Sequence, residues 1–346
     1  MSIATILSPS ADISESLVFS LISGDMEWVN ELIQKQLDSD ISLIQEVLGY
    51  IVHAGGKRIR PALVLLIAGA LGDESRSGHT HKHTLKHQLA AVIEIIHTAT
   101  LLHDDVIDES MLRRGIPSAN ARFGNAASVL IGDFLYTRAF QMMVDAGDMH
   151  VMHRLSDTTN IIASGEVMQL ANKRNTAMDE SLYLKIIDAK TAKLFEASAI
   201  MGALAAKAPD KLIVLCAQIG HLMGMAFQLI DDMLDYSEKS KELGKNTGDD
   251  LREGKMTLPL IYVMEHGTQK QREMICDYVE KHITKTHEMI MAAVAKSDAL
   301  AYTYNKARLM TDKATEKINQ LPDGSHGSLY KEALLALCAL ALNRKS

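Results

Sequence analysis

Two apolar stretches of the chain each end in a burst of aspartates, and this pairing restricts the folds open to it more than any other feature. In QLAAVIEIIHTATLLHDDVIDESM (88–111) the carboxylates of Asp104, Asp105, Asp108 and Glu109 fall within six positions. In GMAFQLIDDMLDYSEKS (224–240) Asp231, Asp232 and Asp235 repeat the spacing, with Gln228 one turn earlier on the same face. Apolar positions recurring every three or four residues predict a helix in both stretches. At ~100° per residue, His97, Asp104 and Asp108 lie within roughly 40° of one another on the first. Like charges one turn apart repel, cheaply on a solvated face. Here the preceding turns are apolar, so the acids stand at the end of a buried helix and need a counterion. A solvated acidic patch would account for one such cluster alone. Two of them point to facing helices that hold hard cations between carboxylate oxygens, and magnesium, which keeps waters and is shared with substrate phosphate, is the natural candidate.

The rest of the chain agrees with helices. Ala, Leu and Met dominate the interior stretches and only six prolines occur in 346 residues, which predicts an all-α protein. Breaks are expected at 54–56, 72–83, 115–117, 173–179, 207–210, 237–255 and 322–327. With 47% hydrophobic and 23% charged residues the composition supports a large core. No Pro/Gly/Ser-rich linker divides it, so residues 21–346 are expected to form a single all-helical domain, and residues 1–20 to fray. A formal net charge of -7 with scattered Lys and Arg offers no broad basic face to nucleic acid. The longest apolar runs, PALVLLIAGAL (61–71) and ALLALCALAL (333–342), fall short of the ~20 residues of a membrane span. Cys216, Cys276 and Cys338 are too scattered for a disulfide framework or thiolate site, which fits a cytoplasmic protein. HTHKH (79–83) offers alternate imidazoles but no nearby carboxylate or Cys to complete a metal site.

Magnesium between acidic walls calls for an anionic ligand, and basic residues stand where one could use them. AGGKRIRP (54–61) places Lys57, Arg58 and Arg60 after two glycines; Arg113 and Arg114 follow the first acidic cluster. Lys190 and Thr191 lie mid-helix in IIDAKTAKLF, and Lys245 and Lys255 flank the loop after the second cluster. Singly each reads as a surface residue. Together they point to two diphosphate sites, one held through metal and one directly by Arg and Lys.

LLHDDVIDESMLRRG, FQLIDDMLD and GGKRIRP together resemble the trans-prenyltransferases, the isoprenyl diphosphate synthases. The likeness runs from about Leu48 to Thr257 and includes GNAASVLIGDFLYTRAFQMM, SGEVMQL and LGKNTGDDLREGKMTLP. Within the family it leans towards bacterial long-chain members that build an eight-unit chain. The resemblance implies a bundle of antiparallel helices around a central cavity, usually a homodimer, with the two Asp motifs facing each other across the mouth. It implies that Asp104, Asp108 and Asp231 bind magnesium, supported by Asp105, Asp232 and Asp235. It gives Arg113, Lys190, Thr191, Gln228, Lys245 and Lys255 to an allylic diphosphate, and Lys57, Arg60, His97 and Arg114 to isopentenyl diphosphate. Release of a lipid product at a membrane surface would go with that activity. Two departures, a slightly longer N-terminus and an enlarged His-rich loop over 73–88, touch no motif.

Product length has its own reading. Inward from Asp104 come Thr100, Ala99, Ile96, Ile95 and Val92, with no Phe or Tyr where short-chain members of the family place a plug. Ala99, about 140° round the helix from Asp104, is expected to line a tunnel wall shared with the 134–143 helix. A shorter-chain farnesyl or geranylgeranyl synthase is the alternative within the family. A class I terpene cyclase would guide its cation with aromatic faces, and aromatics are only 5% here. A noncatalytic synthase subunit could dispense with its metal ligands, whereas all six Asp side chains are present. A His-Asp phosphohydrolase would need upstream His ligands for which the chain has no convincing candidate.

Overall fold

The computed structural model describes residues 11–53, 55–72, 83–113, 115–237, 248–281, 283–323 and 327–342. In chain order the helices are α1 (Ala11–Leu21), α2 (Ser23–Gln36), α3 (Ser42–His53), α4 (Ile59–Ala70), α5 (Leu85–Ile107), α6 (Ala119–Phe123), α7 (Asn125–Asp145), α8 (Met149–Ala171) and α9 (Glu180–Ile187). They continue as α10 (Lys193–Ala205), α11 (Asp210–Asp235), α12 (Asp249–Glu253), α13 (Leu258–His266), α14 (Gln269–Lys281), α15 (His287–Lys296), α16 (Ala299–Ile318) and α17 (Gly327–Leu342). A two-residue antiparallel hairpin, β1 (Leu112–Arg113) with β2 (Ile116–Pro117), is the only sheet among the described residues.

The fold is the all-α one the periodicity predicts. α4 is buried almost along its whole length, from Pro61 to Ala68, and α5 from Leu89 to Ile96. Both pack against α10, and α11 lies between α10 and α16. α11 also joins the two hydrophobic clusters, with Cys216, Ile219 and Met223 in the larger and Met225, Leu229 and Leu234 in the smaller. Close approach needs small residues: a Cβ on Gly202 of α10 would sit 2.5 Å from the Val64 carbonyl oxygen of α4. By length and composition α11 alone among the described helices could cross a bilayer, a candidate the apolar-run count overlooks.

Three boundaries differ from expectation. Residues 11–20, expected to fray, form helix α1, whose Val18 is fully buried and which packs on α17; its apolar face has a partner that sequence distance conceals. α5 begins at Leu85, inside the expected loop, because Thr84 and His87 form a reciprocal capping box. It also stops at Ile107 rather than running to Met111. There the Ser110 amide donates to the Asp105 carbonyl and the Glu109 amide to that of Val106, a Schellman ending with Glu109 in the left-handed region at φ +53°. The turn frees the next residues to form the hairpin. The His-rich stretch 79–82 lies outside the described residues.

Candidate active site

The first acidic wall is the end of α5. Asp104 sends Oδ2 to within 3.4 Å of Lys190 Nζ. Its Oδ1 is buried and has no hydrogen-bond partner among the described residues, an orphaned acceptor of the kind a cation would satisfy. Asp105 points away: its carboxylate is gripped by the Arg113 fork, Nε at 2.8 Å and Nη2 at 2.6 Å. The hairpin exists at the spot needed to deliver that arginine. Asp108, at the helix cap, accepts from Lys255 Nζ at 2.6 Å.

Lys190 and Thr191 sit on a single π-helical turn, residues 188–192, between α9 and α10. Such turns widen a helix and favour functional sites. Two glycines let it approach its neighbours. A Cβ on Gly165 of α8 would meet the Lys190 amide nitrogen at 3.0 Å, and one on Gly224 of α11 would meet Ala192 Cα at 2.5 Å. Lys190 Nζ donates to Glu166 at 2.7 Å and Gln169 at 2.8 Å. Thr191 Oγ1 donates to Gln228 Oε1 at 2.8 Å, and Gln228 Nε2 donates to Asp232 Oδ1 at 2.6 Å. The Tyr183 hydroxyl donates to the other Asp232 oxygen at 2.6 Å, so both oxygens of this buried carboxylate are engaged.

The second wall is tied to the first through α12. The Asp235 carboxylate accepts from the amides of Asp249 and Asp250 at its start, while Lys255, just past its end, reaches Asp108 and Glu253. Crowding of acids in a partly dry mouth shows in their proton affinities. Burial, then the Asp104 charge, pushes Glu166 up to about 7 against the pull of Lys190. Burial, then Asp250, pushes Asp232 up to about 8. Burial works against the Lys190 and Lys255 ammonium groups, yet the surrounding carboxylates, Asp104 first for Lys190 and Asp108 first for Lys255, raise both.

A basic corner forms where α4 meets α5. Arg60 Nη1 lies 3.0 Å from His97 Nε2, and its guanidinium lies over the Phe195 ring at 4.5 Å. One turn back on α5, the buried Glu94 pairs with Arg58 at 2.5 Å; Arg58 is left-handed at φ +50°, which turns the chain into α4. Lys57 is exposed just ahead of it.

The structure thus brings together Asp104, Asp108, Lys190 and Lys255; Thr191, Gln228 and Asp232; and Arg60 with His97. Arg114 and Lys245 lie outside the described residues. Among the described residues no three His, Cys, Asp or Glu side chains converge into a ready-made metal cluster. The donor set is nonetheless all carboxylate oxygen, which suits a hard cation. Ile96 and Ala99 are fully buried in α5, and the Thr100 hydroxyl donates to the His97 carbonyl. Sequence reasoning passed over Glu166, Gln169, Tyr183 and Asp250. The first two share a helix face in SGEVMQL, a signal that was legible; Tyr183 joins only through folding.

Comparison with known proteins agrees with this geometry. The polyprenyl synthetase family matches residues 41–296. The chain is 46% identical to the octaprenyl diphosphate synthase of Escherichia coli (strain K12) over 94% of its length and 97% of that protein. It is 42% identical to the all-trans-nonaprenyl-diphosphate synthase (geranyl-diphosphate specific) of Rhodobacter capsulatus, over 94% and 97%. A crystal structure of a polyprenyl synthase from Caulobacter crescentus CB15, complexed with calcium and isoprenyl diphosphate, superposes with a TM-score of 0.89 at 36% identity, covering 96% of this chain and 98% of that one. With two aspartate walls, lysines between them and a family match over most of its length, the chain belongs to the polyprenyl synthetase family of prenyltransferases.

Proposed function

We propose that this chain is a magnesium-dependent long-chain trans-polyprenyl diphosphate synthase. It extends an allylic diphosphate such as farnesyl diphosphate with isopentenyl diphosphate, to octaprenyl diphosphate destined for a quinone side chain. The observation that carries this is the set of Lys190 and Lys255 against Asp104 and Asp108, the mixture of acid and base that a metal-bound diphosphate requires. The octaprenyl product is supported by the Escherichia coli relative, and a divalent cation by the calcium in the Caulobacter structure.

In this reading Asp104, Asp108 and Asp231 hold magnesium, with Asp105, Asp232 and Asp235 behind them. When bound, the metal offsets the negative charge that grows on the diphosphate as the allylic carbon–oxygen bond breaks. Lys190, Lys255, Arg113, Lys245, Thr191 and Gln228 supply fixed donors to the same diphosphate. Lys57, Arg60, His97 and Arg114 hold isopentenyl diphosphate so that its double bond attacks the allylic carbon. Loss of a proton to the departing diphosphate restores the alkene. The apolar flanks of α4, α5 and α10 keep water from the cation.

Residues 21–346, extended by α1, act as one domain. The protein is a cytoplasmic homodimer that releases its lipid product at a membrane surface. The dimer is supported by exposed apolar side chains on α7 and α8, Leu130 and Val144 with Val167 and Leu170, each more than half exposed.

The assignment is tested by Asp104→Asn and Asp231→Asn. Each should lower turnover by several orders of magnitude with helical circular dichroism unchanged, because a charged ligand is removed and core packing is not. Wild-type turnover at limiting magnesium would refute the metal assignment.

A further inference from the structure

Asp232 belongs to the second acidic motif, yet its surroundings are not those of a metal ligand. It is 4% exposed. One carboxylate oxygen receives the Tyr183 hydroxyl and the other the Gln228 amide, both at 2.6 Å. Asp104 of the first motif is the opposite case, with a buried oxygen that has no hydrogen-bond partner among the described residues. The next link has a direction. The Gln228 nitrogen faces the Asp232 side chain and donates to it, and the Gln228 carbonyl faces away. That carbonyl accepts from the Thr191 hydroxyl at 2.8 Å, and the second hydrogen of the Gln228 amide group is left with a fixed heading. If Asp232 turned, the amide could flip and exchange its donor and acceptor ends. Tyr183, reaching in from α9, is what prevents the carboxylate from turning.

We propose that Asp232 is an orienting acceptor and not a metal ligand, and that Tyr183 is a positioning residue which, through Asp232, sets the donor face of Gln228 and Thr191 towards the allylic diphosphate. This rests on the assignment of Gln228 and Thr191 to that diphosphate.

The test is Tyr183→Phe, which removes the hydroxyl and keeps the ring. Binding of farnesyl thiodiphosphate, an analogue slow to ionise, is measured by calorimetry, beside KM for isopentenyl diphosphate and the half-saturating magnesium concentration. The analogue should bind about fivefold more weakly, the order expected for one lost hydrogen bond. The other two quantities should stay within about twofold, and the effect should vanish when Gln228→Ala is already present. A rise in half-saturating magnesium would return Asp232 to the metal and overturn the proposal, as would equal weakening of both substrates or an undiminished effect in the Gln228→Ala background. Gln228→Ala and Thr191→Val are measured alone as well. If neither weakens the analogue, the underlying assignment falls with the proposal; if both do and Tyr183→Phe is silent, the proposal falls by itself. Should Tyr183→Phe lose the fold, Asp232→Asn gives the same decision: weaker analogue binding at unchanged magnesium dependence supports it, and a raised magnesium requirement overturns it.

Discussion

Lys255 lies past the end of the helix that Asp235 caps, yet its ammonium rests 2.6 Å from Asp108 on the opposite wall. One lysine thereby pairs with both Asp108 of the first motif and Glu253 beside it. Removing it should leave two half-buried carboxylates unpaired. In the metal-free protein Lys255→Ala should cost about 1–3 kcal/mol of stability, read by denaturant melts, with magnesium restoring part of the loss. An unchanged midpoint would show that the pair is ornamental.

Glu166 makes the metal-free protein sensitive to pH. Its folded pKa of about 7 lies above the ordinary 4.5, so between these values the folded state holds more proton than the unfolded one. Its contribution to stability is complete below about pH 4.5 and is lost as pH rises through 7, on the order of 1–3 kcal/mol. Glu166→Gln should flatten that part of the stability curve. A variant that keeps the wild-type slope between pH 5 and 7.5 would show that the slope has a source other than Glu166.

How much of this was legible in the sequence depends on the range of the interactions. The two acidic clusters, Asp104 to Asp108 and Asp231 to Asp235, stand out because spacing along a helix reports a shared face, whereas the choice of Asp104, Asp108 and Asp231 among them comes only from the resemblance. The facing of Lys190 to Asp104 and of Lys255 to Asp108 could only be expected from resemblance, because 86 and 147 residues separate the partners. The resemblance gives Arg113 to the allylic diphosphate, while its pairing with Asp105 through the hairpin after α5 is visible only in the fold. The π turn under Lys190 lies within IIDAKTAKLF, a stretch that reads as one continuous helix.

The basic corner yields a prediction about selectivity. Lys57→Ala should weaken isopentenyl diphosphate more than the allylic substrate, by roughly 1.5–3 kcal/mol for a charge-assisted contact, seen as separate KM values. Equal weakening of the two would mean that the pockets are exchanged or shared.

Ala99 is fully buried in α5, which packs along α7. A tyrosine there must fill space that a growing chain would otherwise enter, at about 1–3 kcal/mol in packing. One turn of helix spans ~5.4 Å, close to one extended prenyl unit. Ala99→Tyr should therefore shift the product towards about three or four prenyl units in a protein that still melts cooperatively. An unmoved distribution in a folded variant would remove Ala99 from the tunnel wall.

The central claim, that these two walls build a long chain from isopentenyl diphosphate, is tested most directly by the product. Purified enzyme is supplied with farnesyl diphosphate, labelled isopentenyl diphosphate and magnesium, and the dephosphorylated label is resolved by chain length. The account predicts a main product of eight prenyl units that disappears when magnesium is chelated. Label left in isopentenyl diphosphate, or a product that stops at three or four units, would contradict it.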